Sequence, residues 1–422
     1  MPRCHSEMRS WNTHALITRA AFSASNLPRL KEPVTVIALE IFLTLAKSSL
    51  PEVIKWHNSL LDRKVLGTAR KMVVRPRIPD TILTHRDFLT AFKLNANQPV
   101  HYVRVLSPEE VSPDTPHDPS RAGPPGGTYA ETEQGEIIQA KDVLSTFSDE
   151  PDWGMDQDLF ADAEYGYGAC PFGSEHGPSS QAAFHMAFLH ENPLIMAVWP
   201  RLGRSFMEER IQLFFALARL AFENGANYWG WRFTSWAMHY LQDLTQPYHA
   251  RALPSPVLPL LFRFLLNPNP GKFAEKNENY LKNRHWLFES AIHFILNEAV
   301  KKDTNHSFLQ ALSIPDGDSK PDHGFRWKTG PQIDVKPFIK ELARVPADLA
   351  PRIDRALMDL MNDRRISDSS YSLANDAGYK ICETLPAARS ERPSVFDDFV
   401  RLVSPCLALA GEVSRHTVGM VA

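Results

Sequence analysis

Apolar residues recur along most of the chain at the three- and four-residue spacing of amphipathic helices. Residues 11–24 open on a turn and then place Leu16, Ile17, Ala20 and Ala21 on one face. Residues 34–62 carry two such runs, parted near Ser48–Pro51. The pattern is strongest at 204–224, where Phe206, Ile211, Phe214, Phe215, Leu217 and Leu220 align, and it continues at 231–246. A further helix is predicted at about 274–301, and at least three more between 336 and 415. Alternating runs are scarce, with one short hairpin expected around 99–140, and no internal repeat is visible. The predicted fold is all-α, a multi-helix bundle with long loop insertions.

Four segments interrupt the helices. Residues 105–135 and 313–333 are polar and rich in Pro, Gly, Asp and Ser, and read as surface loops. Residues 251–272 are apolar, bounded by prolines, and read as an inserted lobe; residues 160–180 are again loop-like. Candidate ligands are scattered from residue 14 to residue 289, so that whole stretch must fold together. The chain, 1–422, therefore reads as a single domain with a motif-bearing core at about 11–300 and C-terminal helices at about 336–415.

Composition narrows the class. Hydrophobic residues at 43% and charged residues at 23% are ordinary for a globular protein. A net charge of −3 argues against nucleic acid as a partner. The four cysteines, Cys4, Cys170, Cys382 and Cys406, form no CxxC pair, so reduced thiols are expected and a thiolate metal site is not. The opening MPRCHSEMRSW lacks the apolar region of a signal peptide. Val34–Ala46 and Val257–Leu266 are interrupted by Glu40 and Arg263 and are too short to span a bilayer. The expectation is a cytoplasmic protein, or one exported by a non-classical route, that acts peripherally on membranes. No obligate protein partner is evident.

The chemistry concentrates in His239-Tyr-Leu-Gln-Asp243-Leu-Thr-Gln-Pro-Tyr-His249. His239 and Asp243, four apart, project from one helix face. Pro247 ends that helix and the chain turns just before His249. His285 and Glu289 repeat the four-residue spacing, and His14 stands at the start of an apolar helical run. Imidazole and carboxylate without thiolate suit zinc. Any one histidine is more often an ordinary core or surface residue, and His239/Asp243 alone could be a plain hydrogen bond. Two such pairs plus a third His at a helix break favour a metal site. A di-iron carboxylate bundle prefers Glu-x-x-His spacing, which these positions lack.

The segments WNTHALITRAA (11–21), HYLQDLTQPYHA (239–250) and HWLFE (285–289) resemble the zinc-dependent phospholipase C family, whose all-α fold is shared with single-strand-specific nucleases. The resemblance covers about residues 11–300. It implies three zinc ions. His14 and Asp243, with main-chain atoms of Trp11, would bind one. Asp243 would bridge to a second ion held by His239, an Asp and a further His. His249, His285 and Glu289 would bind the third. For the missing Asp, the sequence Glu150-Pro151-Asp152 makes Asp152 the choice and Asp149 the alternate; for the missing His, AFHMAF makes His185 the choice ahead of His176 and His190. Two features depart from the family: the wide gap between His249 and His285, and the ten residues before Trp11.

The implied reaction is hydrolysis of glycerophospholipids at a membrane surface to diacylglycerol and a phosphorylated headgroup, by water that the metal activates, with Asp152 as general base. Trp153 could line the headgroup pocket through its aromatic face, or simply pack. Leu261 and Phe262, in the inserted lobe, are expected to touch lipid or to form a buried helix. A nuclease on the same fold is the alternative, and would need aromatic stacking platforms; Tyr228, Trp229 and Trp231 form the aromatic cluster near the motif. A non-catalytic, metal-stabilised membrane-binding protein is a third reading.

Overall fold

A computed structural model describes residues 13–66, 84–107 except 96, 128–156, 182–252 except 199 and 204, 270–314 except 304, and 335–421 except 377, together with 82 and 110. The described chain is mostly helical, as the periodicity predicts. In chain order the helices are α1 Thr13–Ser23, α2 Leu39–Leu45, α3 Leu50–Leu66, α4 His85–Ala91, α5 Ala140–Phe147, α6 Ala182–His185, α7 Pro193–Val198, α8 Met207–Glu223 and α9 Asn227–Asp243. They continue as α10 Pro247–Ala250, α11 Pro270–Lys302, α12 Ser307–Leu312, α13 Val335–Leu342, α14 Arg344–Met361, α15 Ile381–Glu391 and α16 Pro393–Met420.

Two short antiparallel pairs and several 3-10 turns complete the described elements. The expected hairpin is present as β2 (Val103–Val105) against β3 (Tyr129–Glu131). A second pair joins β1 (Pro33–Thr35) to β4 (Ile137–Gln139), across about a hundred residues that no local pattern could connect. No described helix is long and apolar enough to cross a membrane. One sequence expectation fails: Cys382 is disulfide-bonded, whereas Cys406 is a buried free thiol. Wide spacing in the chain says nothing about which cysteines folding brings together.

Helix α9 is the axis of the fold. Every residue from Tyr228 to Asp243 is buried, so it has no solvent-facing stripe and its polar groups depend on partners inside the protein, which most of them find, Trp231 Nε1 and Ser235 Oγ being exceptions. Arg232 meets the Glu150 carboxylate through both Nε, at 2.8 Å, and Nη2. Trp236 Nε1 donates to the same carboxylate at 2.6 Å. Thr234 donates to the Gly230 carbonyl one turn back at 2.7 Å. The α8–α9 turn closes through Gly225, whose φ of +73° is open to glycine at little cost.

The apolar side chains form two clusters. One gathers α2, α3, α4, α5, α8 and α9 around Phe42, Phe88, Phe214 and Trp229. The other gathers α11, α14, α15 and most of α16 around Leu287, Leu357 and Phe399. Helices α1 and α16 contribute to both: Ala21 and Val413 to the first, Ile17 and Leu407 to the second. The candidate site lies along this seam.

Candidate metal centre

Three groups of His, Asp and Glu side chains are placed so that each could hold a metal ion: His14 with His239 and Asp243, Asp152 with His185 and His239, and His249 with His285 and Glu289. Within each group the candidate donor atoms all lie within 4.8 Å of one another. Six separate elements deliver them. His14 opens α1, and His239 and Asp243 lie one turn apart at the end of α9. His249 sits in α10, whose first residue is Pro247 and whose N-terminus Gln246 caps through its side chain, accepting from Tyr248 N and His249 N. His285 and Glu289 share a face of α11, Asp152 lies in the 3-10 turn Glu150–Trp153, and His185 ends α6.

One arrangement involves four atoms. Asp243 Oδ2 is 3.1 Å from His185 Nδ1 and 3.2 Å from His239 Nε2. Those two nitrogens are 3.0 Å apart. Asp152 Oδ1 completes the set at 3.5 Å from His185 Nδ1 and 3.7 Å from His239 Nε2. Donors on a tetrahedral zinc at its usual bond lengths stand roughly 3.3 Å apart, and these edges bracket that value. The other oxygen of each carboxylate turns toward His14 Nε2, at 3.6 Å for Asp243 Oδ1 and 3.8 Å for Asp152 Oδ2. In the third group His249 Nε2, His285 Nε2 and Glu289 Oε1 form a triangle with edges of 2.9, 3.2 and 2.7 Å. Asp243 Oδ1 lies 2.9 Å from His249 Nδ1, so one carboxylate touches every group.

Neighbouring groups set the tautomers. Gln242 Nε2 donates to Thr18 and Ser414, which turns its Oε1 to His14 Nδ1 at 2.8 Å. His14 Nδ1 therefore carries the proton and Nε2 keeps its lone pair. The Ser148 carbonyl can only accept, so His239 Nδ1 donates to it at 2.7 Å and again frees Nε2. His185 presents Nδ1 to the cluster while its Nε2 lies 3.4 Å from Asp156 Oδ2, close but not aligned for a hydrogen bond. Asp156 is itself held by Arg210 Nη2 at 2.8 Å and by the Tyr240 hydroxyl at 2.5 Å. Such outer partners orient ligating imidazoles in metal sites. Gln246 Nε2 does the same for Glu289 Oε1 at 3.0 Å.

Electrostatics follow from burial and crowding. Burial pushes the Asp243 carboxyl up, yet the facing imidazoles of His249 and His239 outweigh it and hold Asp243 well below the usual range. Burial also works against charge on His249 and Glu289. Even so, Asp243 and Glu289 lift His249 to about 9, and His285 and His249 draw Glu289 down to about 2. His14 is lowered to about 4 by burial and by His239. Two buried ring nitrogens, His185 Nε2 and His249 Nδ1, have no aligned hydrogen-bond partner. Imidazole and carboxylate oxygens form a donor set that fits zinc, and a cation among them would relieve this crowding.

Of the sequence-predicted residues, His14, Asp152, His185, His239, Asp243, His249, His285 and Glu289 are brought together. Trp11, His176, Leu261 and Phe262 lie outside the described residues. Asp149 is fully buried and turned away: it accepts from Ala15 N at 3.0 Å and from the Tyr129 hydroxyl at 2.6 Å, capping the start of α1. His190 instead approaches the Lys340 carbonyl with Nε2 at 2.6 Å. Trp153 is only 5% exposed and packs edge-on against His101, Tyr129 and Phe147, so its packing role is the one observed and a headgroup wall is not. Sequence reasoning missed Asp156, Gln242 and Gln246 as orienting groups. The two glutamines stand inside the motif itself, beside Asp243 and just before Pro247.

No protein-family model matches this chain, and neither a curated protein nor a solved structure does.

Proposed function

We propose that this protein is a zinc-dependent phosphodiester hydrolase that acts as a phospholipase C, cleaving glycerophospholipids at a membrane surface to diacylglycerol and a phosphorylated headgroup. The observation that carries this reading is the chain of adjoining donor sets linked through the two oxygens of Asp243. Three zinc ions would be held by Asp152, His185, His239 and Asp243; by His14 and Asp243; and by His249, His285 and Glu289. Bound there, zinc would neutralise phosphate oxygens, lower the pKa of water and stabilise the leaving alkoxide.

The protein's own groups divide the remaining work. Asp152 is 20% exposed, whereas His185, His239 and Asp243 beside it are 6% exposed or less. It is thus the carboxylate able to meet incoming water and accept its proton. His14, His285 and Glu289 are also partly exposed, at 13%, 16% and 15%, and with Asp152 they form the edge at which a phosphodiester would enter. His239 and Asp243 form the fixed floor. The aromatic cluster offers no support for a nuclease, because Tyr228, Trp229 and Trp231 are at most 1% exposed and cannot stack on bases.

The test is release of phosphocholine from phosphatidylcholine vesicles and of nucleotides from single-stranded DNA, measured side by side with and without chelator, together with metal content by elemental analysis. Chelator-sensitive phosphocholine release with little nucleotide release is expected. Dominant nucleotide release would replace phospholipase by nuclease, and metal without either activity would leave a structural metal protein.

A further inference from the structure

The C-terminal helices carry no recognisable motif, yet a carboxylate from one of them reaches two ligand-bearing elements. Asp354, in α14, is fully buried. The Tyr248 hydroxyl donates to its Oδ1 at 2.8 Å, and Arg284 Nη1 donates to its Oδ2. Tyr248 immediately precedes His249, and Arg284 immediately precedes His285. Arg284 is fixed further by Nη2 to Ser367 Oγ at 3.0 Å and by the Tyr280 ring, 4.3 Å from its guanidinium carbon. The Tyr248 ring stacks on the His285 imidazole at 17° with centroids 6.2 Å apart.

A four-residue helix cannot hold its own orientation, because helix formation is unfavourable until several turns have formed. His249 lies in such a helix, α10, so an external anchor must fix its direction. A buried ion pair adds little net stability for its desolvation cost, but it is directional, and here both arms end beside an imidazole. We propose that Asp354 is a positioning residue for the His249–His285–Glu289 group, setting both imidazoles so that they converge on one metal ion. The proposal rests on the metal-site reading above. It gives the C-terminal helices a part in the site without any ligand of their own.

The test compares zinc stoichiometry and affinity in the full-length wild type, Asp354→Asn and Tyr248→Phe, by elemental analysis after dialysis and by competition with a chromophoric chelator. Loss of a partner that orients a ligand weakens metal binding by about 10-fold or more. Asp354→Asn should therefore weaken one ion by that factor and spare the others, and excess zinc should restore phosphodiester hydrolysis. Tyr248→Phe should act in the same direction, more mildly. Unchanged stoichiometry and affinity in both variants, or equal weakening of every ion, would overturn the proposal. If Asp354→Asn does not fold, Tyr248→Phe decides alone. A wild type that binds no zinc removes the metal-site reading and this proposal together. A wild type that binds zinc beside two unaffected variants removes only the role of Asp354.

Discussion

Asp243 faces four imidazoles, those of His14, His185, His239 and His249, at 3.6, 3.1, 3.2 and 2.9 Å. A carboxylate shared in this way cannot be replaced by its neighbours, since each of its oxygens is turned to a different group. Asp243→Ala is expected to lower hydrolysis by more than the roughly 100-fold upper end for changes outside the ligand set. It should also reduce zinc content, and His239→Ala should do so as well. Turnover and zinc content close to wild type in Asp243→Ala would remove the shared-carboxylate reading. His57 illustrates the opposite case, a histidine outside the candidate metal centre. It is fully buried in α3 with neither ring nitrogen hydrogen-bonded, and burial, helped by the charges of Arg210 and Lys93, holds it well below its ordinary 6.5. The unfolded chain therefore takes up a proton that the folded one refuses. The resulting stabilisation is present above 6.5 and is lost as pH falls below it. Between about pH 7.5 and about pH 5, the melting temperature of His57→Phe should fall less than that of the wild type; parallel curves would show that His57 stays solvated.

Helices, unlike single residues, were largely legible in the chain. The apolar spacing at 204–224 and 231–246 became α8 and α9, and the break near Ser48–Pro51 separates α2 from α3. The two His–carboxylate pairs were visible because their spacing matches the helix repeat. Asp152 and His185 are legible only through the motif resemblance, since nothing in their local sequence relates them to α9. Asp354 was invisible: its partners lie 70 and 106 residues away, and only the folded chain joins them. The β1–β4 pairing was hidden for the same reason, two three-residue strands being too short to show alternation. Close approach of helices is equally silent in sequence. Gly411 of α16 lies so near α12 that a methyl group there would come within 2.2 Å of the Leu312 carbonyl oxygen. Gly411→Ala must push backbone away from backbone, at a cost of about 1–3 kcal/mol. A denaturation midpoint equal to wild type would mean that the two helices separate freely.

At the scale of the molecule, the motif-bearing stretch does not appear as a self-sufficient unit. Ser414 of α16 hydrogen-bonds Gln242, which fixes the tautomer of His14. Arg415 donates to the carbonyls of Leu312, at 2.6 Å, and of Ala21, at 3.3 Å, tying α16 to both α12 and α1. The second apolar cluster draws Ile353, Leu357, Leu360, Phe399, Val403 and Leu407 from beyond residue 334. Without them Leu287, Phe288 and Ile292 of α11 would lose much of their cover, each exposed side chain forfeiting about 1.5–3 kcal/mol. Summed over the three, about 4.5–9 kcal/mol is comparable with the whole margin of an ordinary domain. A chain ending at residue 334 is thus predicted to lack a cooperative thermal transition and to hold no zinc. Stripping metal from the full chain should act differently. The helices are covered by apolar packing, so chelator should leave the helical circular dichroism signal in place while lowering the melting temperature. The loss would equal the binding free energy forgone, about 3–4 kcal/mol for one ion present at 100 to 1,000 times its dissociation constant. Cooperative melting and zinc uptake by the shortened chain would show that the site assembles from the first three-quarters of the molecule alone, and that the C-terminal helices merely pack against it.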